Sequence, residues 1–156
     1  GERVQFLLAA NPGSPLLPLA KVASGGELAR AMLALRLVLS RVGYTSPPTQ
    51  IFDEVDAGIG GAAATAVGEA LARLAVADRQ ILVVTHLPQV AAWATTQVTV
   101  EKRQGDDSTA SVARALAPRD RVVELARMLS GSPESKSARK HAAELLDRAA
   151  AGRSAW

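Results

Sequence analysis

Residues 51–86 read IFDEVDAGIGGAAATAVGEALARLAVADRQILVVTH, and this stretch decides the fold. The short apolar run Ile51-Phe52 ends at two carboxylates and a glycine-rich turn, after which an alanine-rich helix is predicted over about 62–76. The run Ile81–Thr85 is apolar and rich in β-branched residues, which is typical of a strand buried on both faces of a parallel sheet. Strand, helix and strand in this order predict a right-handed βαβ unit, and therefore an α/β fold with a mostly parallel sheet and flanking helices.

Upstream of this unit the sequence predicts one strand and one long helix. Apolar residues alternate over 4–8, which indicates a half-buried strand that ends at Asn11-Pro12-Gly13. From Ser24 the spacing becomes helical, and the helix is predicted to stop at Gly43. Its apolar stripe consists of Leu28, Met32, Leu35 and Leu39.

Downstream, a short helix is predicted near Pro88–Ala94, followed by a β-hairpin whose turn is Gly105-Asp106-Asp107. Two helices close the chain. Asp120 and Ser132 are the predicted N-caps of these helices, and Gly131 and Gly152 are their predicted ends. The length of 156 residues and a hydrophobic content of 48% fit one compact domain over 1–156.

Composition restricts the chemistry open to the chain. There is no Cys and there are only two His, at 86 and 141, which excludes disulfides and a zinc site of thiolates or histidines, so any metal must be a hard cation on oxygen ligands. The net charge of +3 favours polyanions such as DNA, although an excess of Lys and Arg is also ordinary for a solvated surface. No apolar run is long enough to span a bilayer, so we expect a soluble cytoplasmic protein without a membrane partner.

The first motif is Ser24-Gly25-Gly26-Glu27, at the start of the long helix. Ser24 and Glu27 match a capping box, which has a purely structural role. Two glycines cost the helix about 1 kcal/mol each, but they leave backbone N–H groups bare at the positive helix end, where a phosphate can bind. The motif therefore predicts a cap and an anion site together.

The second and third motifs follow the two predicted parallel strands. Asp53 and Glu54 lie at the carboxyl end of one strand, where ligands of open α/β sheets bind, and Asp56 adds negative charge. One carboxylate can hold Mg²⁺ while its neighbour accepts a proton from an attacking water. His86 ends the other strand and can face the same crevice. The alternatives are a solvated acidic turn and a structural histidine.

Together, in this order, the three motifs resemble the ABC ATPase family: a signature at Ser24–Glu27, a Walker B strand ending at Asp53-Glu54, and a switch histidine at His86. The sequences of residues 21–28, 52–59 and 85–91 are similar to those of the RecN family of SMC-like DNA-repair proteins. The resemblance implies the C-terminal lobe of an ATPase head.

The same resemblance assigns roles to these residues. It implies that Glu54 is the general base, that Asp53 helps to coordinate Mg²⁺, and that residues 56–61, including Asp56, meet a partner head. It also implies that His86 contacts the γ-phosphate of ATP. The signature residues Ser24, Gly25 and Gly26, together with Glu27, would bind the ATP held by a second subunit, in a homodimer that closes on DNA in the nucleoid.

Two departures from the family pattern stand out. Thr49-Gln50 replace apolar residues at the start of the Walker B strand, which predicts a less buried strand start. No G-x-x-x-x-G-K-[ST] phosphate loop is present. The resemblance therefore implies that an N-terminal P-loop lobe, joined through a coiled coil, completes the site, so that this chain alone is inactive as an ATPase. It also implies an apolar surface and a sheet edge left open in this chain.

Two other functions fit parts of the sequence. The nucleotide-binding domain of a membrane transporter shares the three motifs, but the Leu87-Pro88-Gln89 run after His86 and the lack of a Leu before Ser24 argue against it. A non-catalytic dimerisation or DNA-binding module would instead use a basic face on the last two helices. That face would consist of Arg119, Arg121, Arg127, Arg139 and Lys140.

Overall fold

A computed structural model describes most of the chain. The described residues are 4–9, 13–21, 24–41, 47–75, 79–104 and 109–155. They separate into two compact units, residues 1–85 and residues 86–156, and each unit is described by itself below. The single domain over 1–156 stays a prediction.

The first unit opens with two short strands, β1 (Leu7–Leu8) and β2 (Leu17–Pro18), which pair antiparallel. The predicted strand over 4–8 is thus shorter than expected, and Phe6 before it is 58% exposed. The second strand and a 3-10 turn at Leu19–Lys21 lie between the predicted strand and the predicted helix, where no element was predicted.

Helix α1 (Gly25–Arg41) follows, and its predicted end at Gly43 lies outside the described residues. The predicted apolar stripe is wrong, because it is displaced by part of a helical turn from the buried face of α1. Leu28 and Met32 are exposed, whereas Leu33 is buried. The inner face of α1 carries Gly26, Arg30, Leu33 and Leu37. Hydrophobic spacing alone favoured the outer row because it holds more large apolar residues.

The βαβ unit consists of β3 (Thr49–Phe52), α2 (Gly61–Leu74) and β4 (Gln80–Val83). The strands pair parallel with Phe52 opposite Val83, so the predicted neighbours are confirmed. The described strands form three two-stranded sheets, of which this is the parallel one, and the mixed α/β class is confirmed.

In the part of the chain that the structure describes, only one face of this parallel pair is covered. Phe52 is buried, but Ile51, Leu82 and Val84 are 71%, 45% and 61% exposed, so the prediction of a strand buried on both faces is wrong. The prediction that this strand starts at less buried residues is also wrong for Gln50, which is 6% exposed. Its amide oxygen accepts a hydrogen bond of 2.8 Å from the Arg36 guanidinium of α1, which allows a polar side chain at a buried position.

The second unit contains the short helix α3 (Pro88–Ala91), the strands β5 (Val98–Gln104) and β6 (Thr109–Ala115), and the helices α4 (Pro118–Ser130) and α5 (Lys136–Arg153). The predicted hairpin is confirmed by the antiparallel register of β5 and β6, while its turn at 105–107 lies outside the described residues. Helices α4 and α5 pack on each other through small and apolar residues. The buried ones include Leu125, Ala126, Ala142 and Ala149.

The ends of these two helices differ from the predictions. Pro118 occupies the first turn of α4, so Ala117 is the N-cap and Asp120 lies inside the helix. Gly131 does end α4, in the left-handed conformation that glycine favours. The N-cap of α5 is Ser135, whose hydroxyl accepts from the Ala138 N–H at 3.3 Å, instead of the predicted Ser132.

Gly152 lies in the last turn of α5 instead of ending it, and the cause is packing. A Cβ at this position would lie 2.5 Å from Cη2 and 2.8 Å from Cζ3 of the buried Trp93 ring. Glycine is thus needed here for close approach to the ring.

We expect Gly152→Ala to lower the free energy of unfolding by about 1–3 kcal/mol, because the buried ring must shift to admit the methyl group. Urea unfolding measures the loss. In a Trp93→Phe background the methyl group has room, so the double variant should lose less than the sum of the single changes. Strict additivity would contradict the assigned clash.

Among the described residues, none of the helices combines the length and the apolar character that crossing a bilayer demands.

Candidate functional site

The N-terminus of α1 is capped as the sequence predicted. The Ser24 hydroxyl accepts a hydrogen bond of 3.2 Å from the Glu27 N–H, which satisfies one of the free donors of the first turn. Ser24 and Gly25 are exposed, whereas Gly26 is buried. The two glycines of the motif therefore have different surroundings, and only the first faces solvent.

The two carboxylates follow directly on β3. Asp53 and Glu54 are both exposed, and Asp53 Oδ1 accepts a hydrogen bond of 2.9 Å from the Glu54 N–H. Glu54 has a φ of 56°, the left-handed region that costs a non-glycine residue about 1–2 kcal/mol. The Ala57 N–H donates to the Glu54 carbonyl at 3.0 Å and closes a tight turn. Backbone strain at an exposed acid favours a functional role for it.

Helix α1 and this turn touch at the two glycines. A Cβ on Gly25 would lie 3.3 Å from Glu54 Oε2, and a Cβ on Gly26 would lie 2.8 Å from the Ala57 carbonyl oxygen. The structure therefore brings Ser24, Gly25 and Gly26 together with the carboxylate of Glu54 inside one compact unit. About one helix and one strand separate the signature residues from Glu54 in the sequence, so their proximity does not follow from the sequence alone.

Asp56 lies in the same turn but is buried, with 2% of its surface exposed. Its carboxylate accepts a hydrogen bond from the Thr85 hydroxyl, just beyond β4. The backbone continues the link between the strands there, because the Val84 N–H donates to the Phe52 carbonyl at 3.0 Å. Asp56 thereby fixes the turn to the end of the neighbouring strand.

Arg30 is a residue of this site that the sequence reasoning missed. Its guanidinium Nη1 donates to the Ala57 carbonyl at 2.7 Å and to the Val55 carbonyl at 3.4 Å. A signal was available, since Arg30 lies four residues after Gly26 and thus on the same face of the helix.

His86, the remaining predicted site residue, is exposed and is the first residue of the second unit. Helix α3 begins two residues later, and two arginines hold its C-terminal end. Arg121 Nη2 donates to the carbonyls of Ala91, Ala92 and Ala94 at 2.9–3.4 Å, and Arg153 Nη1 donates to that of Trp93 at 3.0 Å. Burial, and then the nearby Arg153, lower the pKa of Arg121.

The donor set suits Mg²⁺ bound together with a nucleotide. Within the described ranges, no group of three or more His, Asp or Glu side chains could hold a metal ion alone. Mg²⁺ is commonly held by one or two protein carboxylates together with phosphate oxygens and water, which the exposed Asp53 at a strand end fits.

Bacterial DNA repair proteins align with nearly the whole chain. It is 52% identical over 152 residues to one from Streptomyces coelicolor, 54% over 148 residues to one from Mycobacterium leprae and 55% over 143 residues to one from Deinococcus radiodurans. These alignments include 97%, 95% and 92% of the chain. All three relatives are RecN, so the resemblance to the RecN family seen in the motifs is confirmed over nearly the whole chain.

The chain spans about a quarter of the length of these relatives, 26%, 24% and 24% respectively. No protein-family model matches it. A solved structure from work on "ATP-driven dimerization and DNA stimulated activation of SMC ATPases" is 23% identical, with a TM-score of 0.49, and the match covers 72% of this chain and 73% of that one.

Proposed function

We propose that this chain is the C-terminal lobe of the ATPase head of a RecN-like DNA double-strand-break repair protein. Glu54 acts as the general base for ATP hydrolysis. Asp53 helps to hold Mg²⁺, which when bound offsets the charge of the phosphates. The observation that carries the proposal is the strained turn directly after β3, where Glu54 has a φ of 56° and is exposed beside the exposed Asp53.

The exposed start of α1 supports a role in phosphate binding. The N–H groups of a helix start point at an anion and the helix dipole favours its charge. In this proposal Ser24, Gly25 and Gly26, with Glu27, bind the γ-phosphate of ATP held by a second copy, so the complete site forms in a homodimer on DNA. Asp56 keeps the turn of 56–61 in shape for that contact, and His86 contacts the γ-phosphate of the ATP held by its own head.

The uncovered face of the parallel pair supports a missing lobe. Ile51, Leu82 and Val84 form this open face, and burying it would stabilise an assembly by the hydrophobic effect. The proposed cover is an N-terminal lobe of the same protein that also supplies the P-loop. The chain alone therefore does not hydrolyse ATP, and the complete protein acts in the nucleoid.

The rival DNA-binding module finds less support in the second unit. Four of the five cations on its basic face are already engaged there. Arg121 donates to carbonyls, and Arg119, Arg127 and Arg139 pair with Asp120, Glu124 and Glu134 at 3.8, 2.7 and 2.9 Å. The hydrogen bonds that Arg127 donates to the Glu124 carboxylate raise the pKa of Arg127. Cations paired in this way are less available to phosphate groups, which favours the ATPase head over the rival.

The test is ATP hydrolysis by this chain alone, and by this chain joined to the rest of the RecN-type protein, each with and without DNA. We expect turnover only in the joined protein, because the phosphate loop is supplied there. Salt titration of DNA binding separates the rival, since a module without ATPase function would bind DNA with a steep salt dependence and no effect of nucleotide. Joined protein without turnover would favour that rival.

A further inference from the structure

The buried side of α1 carries an arginine for which the proposed chemistry has no direct use. We propose that Arg30 is a positioning residue that holds the turn carrying Glu54 against the signature helix. This inference rests on the proposed function, in which Glu54 is the base. Arg30 does not reach the exposed carboxylate itself and acts through two backbone carbonyls, at 2.7 Å from Ala57 and 3.4 Å from Val55.

These two carbonyls are well placed to control Glu54. Val55 is fully buried, and the turn closes on itself through the bond from the Ala57 N–H to the Glu54 carbonyl. A donor that holds residues 55 and 57 therefore fixes the backbone directly after Glu54. On the far side of the turn, the bond between Asp56 and Thr85 provides a second anchor.

The buried glycine of the signature makes room for this arrangement. A Cβ on Gly26 would lie 2.9 Å from Arg30 Nη1 and 2.8 Å from the Ala57 carbonyl oxygen. Any side chain at Gly26 would thus crowd both the donor and the acceptor of this bond. Gly25 remains exposed, so an anion can approach it. The lack of a side chain at Gly26 instead leaves room for the hydrogen bond between Arg30 and Ala57.

Arg36 provides a matched comparison on the same helix. Its guanidinium also reaches β3, but it bonds to the side chain of Gln50 near the start of the strand, at 2.8 Å. Both arginines tie α1 to β3 or its turn, and only Arg30 contacts the catalytic end. Loss of Arg36 should therefore weaken the fold without displacing Glu54.

The experiment measures kcat and KM for ATP with the joined protein carrying Arg30→Ala, Arg30→Lys or Arg36→Ala. Displacement of a catalytic group by about 1 Å costs on the order of 10²-fold, so Arg30→Ala should lower kcat by about that factor and change KM by less than about threefold. Arg30→Lys should recover part of kcat, because an ammonium group can donate to one carbonyl but lacks the planar fork. Arg36→Ala should keep kcat within about twofold of the wild type while lowering the unfolding midpoint.

Two results would overturn the inference: a kcat for Arg30→Ala within about twofold of the wild type, or an equal loss of kcat in Arg36→Ala. If Arg30→Ala does not fold, Arg30→Lys decides, and its kcat must fall by at least about threefold. Glu54→Gln separates this inference from the function on which it rests. Hydrolysis that survives Glu54→Gln refutes the proposed base, whereas its loss beside an unaffected Arg30→Ala refutes only the role of Arg30.

Discussion

Replacing Glu54 with glutamine is expected to lower kcat for ATP hydrolysis by about 10²- to 10⁴-fold, the usual contribution of a general base. Glutamine keeps the size and hydrogen-bonding shape of the side chain but cannot accept the proton of the attacking water. It also leaves Gly25, the neighbour of Glu54 Oε2, in the same surroundings. ATP-driven pairing of the heads should therefore persist while turnover stops.

Steady-state hydrolysis and the nucleotide-dependent change in mass of the joined protein measure these two effects. Glu69→Gln is the matched control, because Glu69 is paired with Arg73 at 2.6 Å on helix α2 and lies away from the strand ends. It should hydrolyse ATP at nearly the wild-type rate. Turnover by Glu54→Gln comparable to that of Glu69→Gln would mean that another group is the base.

Gly26→Ala should remove both stability and activity. The added methyl group would meet the Ala57 carbonyl at 2.8 Å, and this acceptor belongs to a backbone that cannot rotate away as a flexible side chain would. Overpacking of this kind costs about 1–3 kcal/mol. Because the displaced turn also carries Glu54, we expect hydrolysis to fall even at temperatures where the variant remains folded.

Chemical unfolding and hydrolysis, measured on the same preparation, test this expectation. The control is Gly60→Ser, since Gly60 has an extended backbone, stands at the N-cap of α2 and would place its Cβ in open space. Serine is favoured at such a position, so stability should stay within about 0.5 kcal/mol of the wild type. Gly60→Ser is a control for stability alone, because Gly60 lies in the turn of 56–61 that is proposed to contact the partner head. Equal losses of stability from both substitutions would show that the close approach at Gly26 is not the cause.

The sequence predicts well those features of the fold that depend on neighbouring residues. The order β3, α2, β4, the hairpin of β5 and β6, and the end of α4 at Gly131 follow from periodicity and from glycine. The wrong predictions concern burial and caps, which depend on distant contacts. Gln50 is buried because Arg36 bonds to it, and Gly152 continues a helix because Trp93 occupies the space beside it.

The candidate site shows the same division. The cap by Ser24 and the position of Asp53 and Glu54 beyond a strand were predicted from local patterns, and their catalytic and binding roles stay predictions. The contact between Gly25 and Glu54 and the bonds of Arg30 were not foreseen, because 29 positions of sequence separate the first pair and no pattern specifies which helix face meets a turn. The left-handed φ of Glu54 likewise has no local signal, since glycine or asparagine is the usual residue there.

In the proposed function, the alternation along β3 also determines which of two neighbouring acids takes which role. Gln50 and Phe52 are buried, and Gln50 is bonded to Arg36 of α1, while Ile51 is exposed. A strand shifted by one residue would exchange its two faces. Asp53 and Glu54 would then exchange positions, and the acid meant for a cation would stand where the proton acceptor belongs. The two buried side chains, Gln50 and Phe52, take no part in the proposed chemistry. By setting the register of β3, they determine which of two similar carboxylates occupies which position.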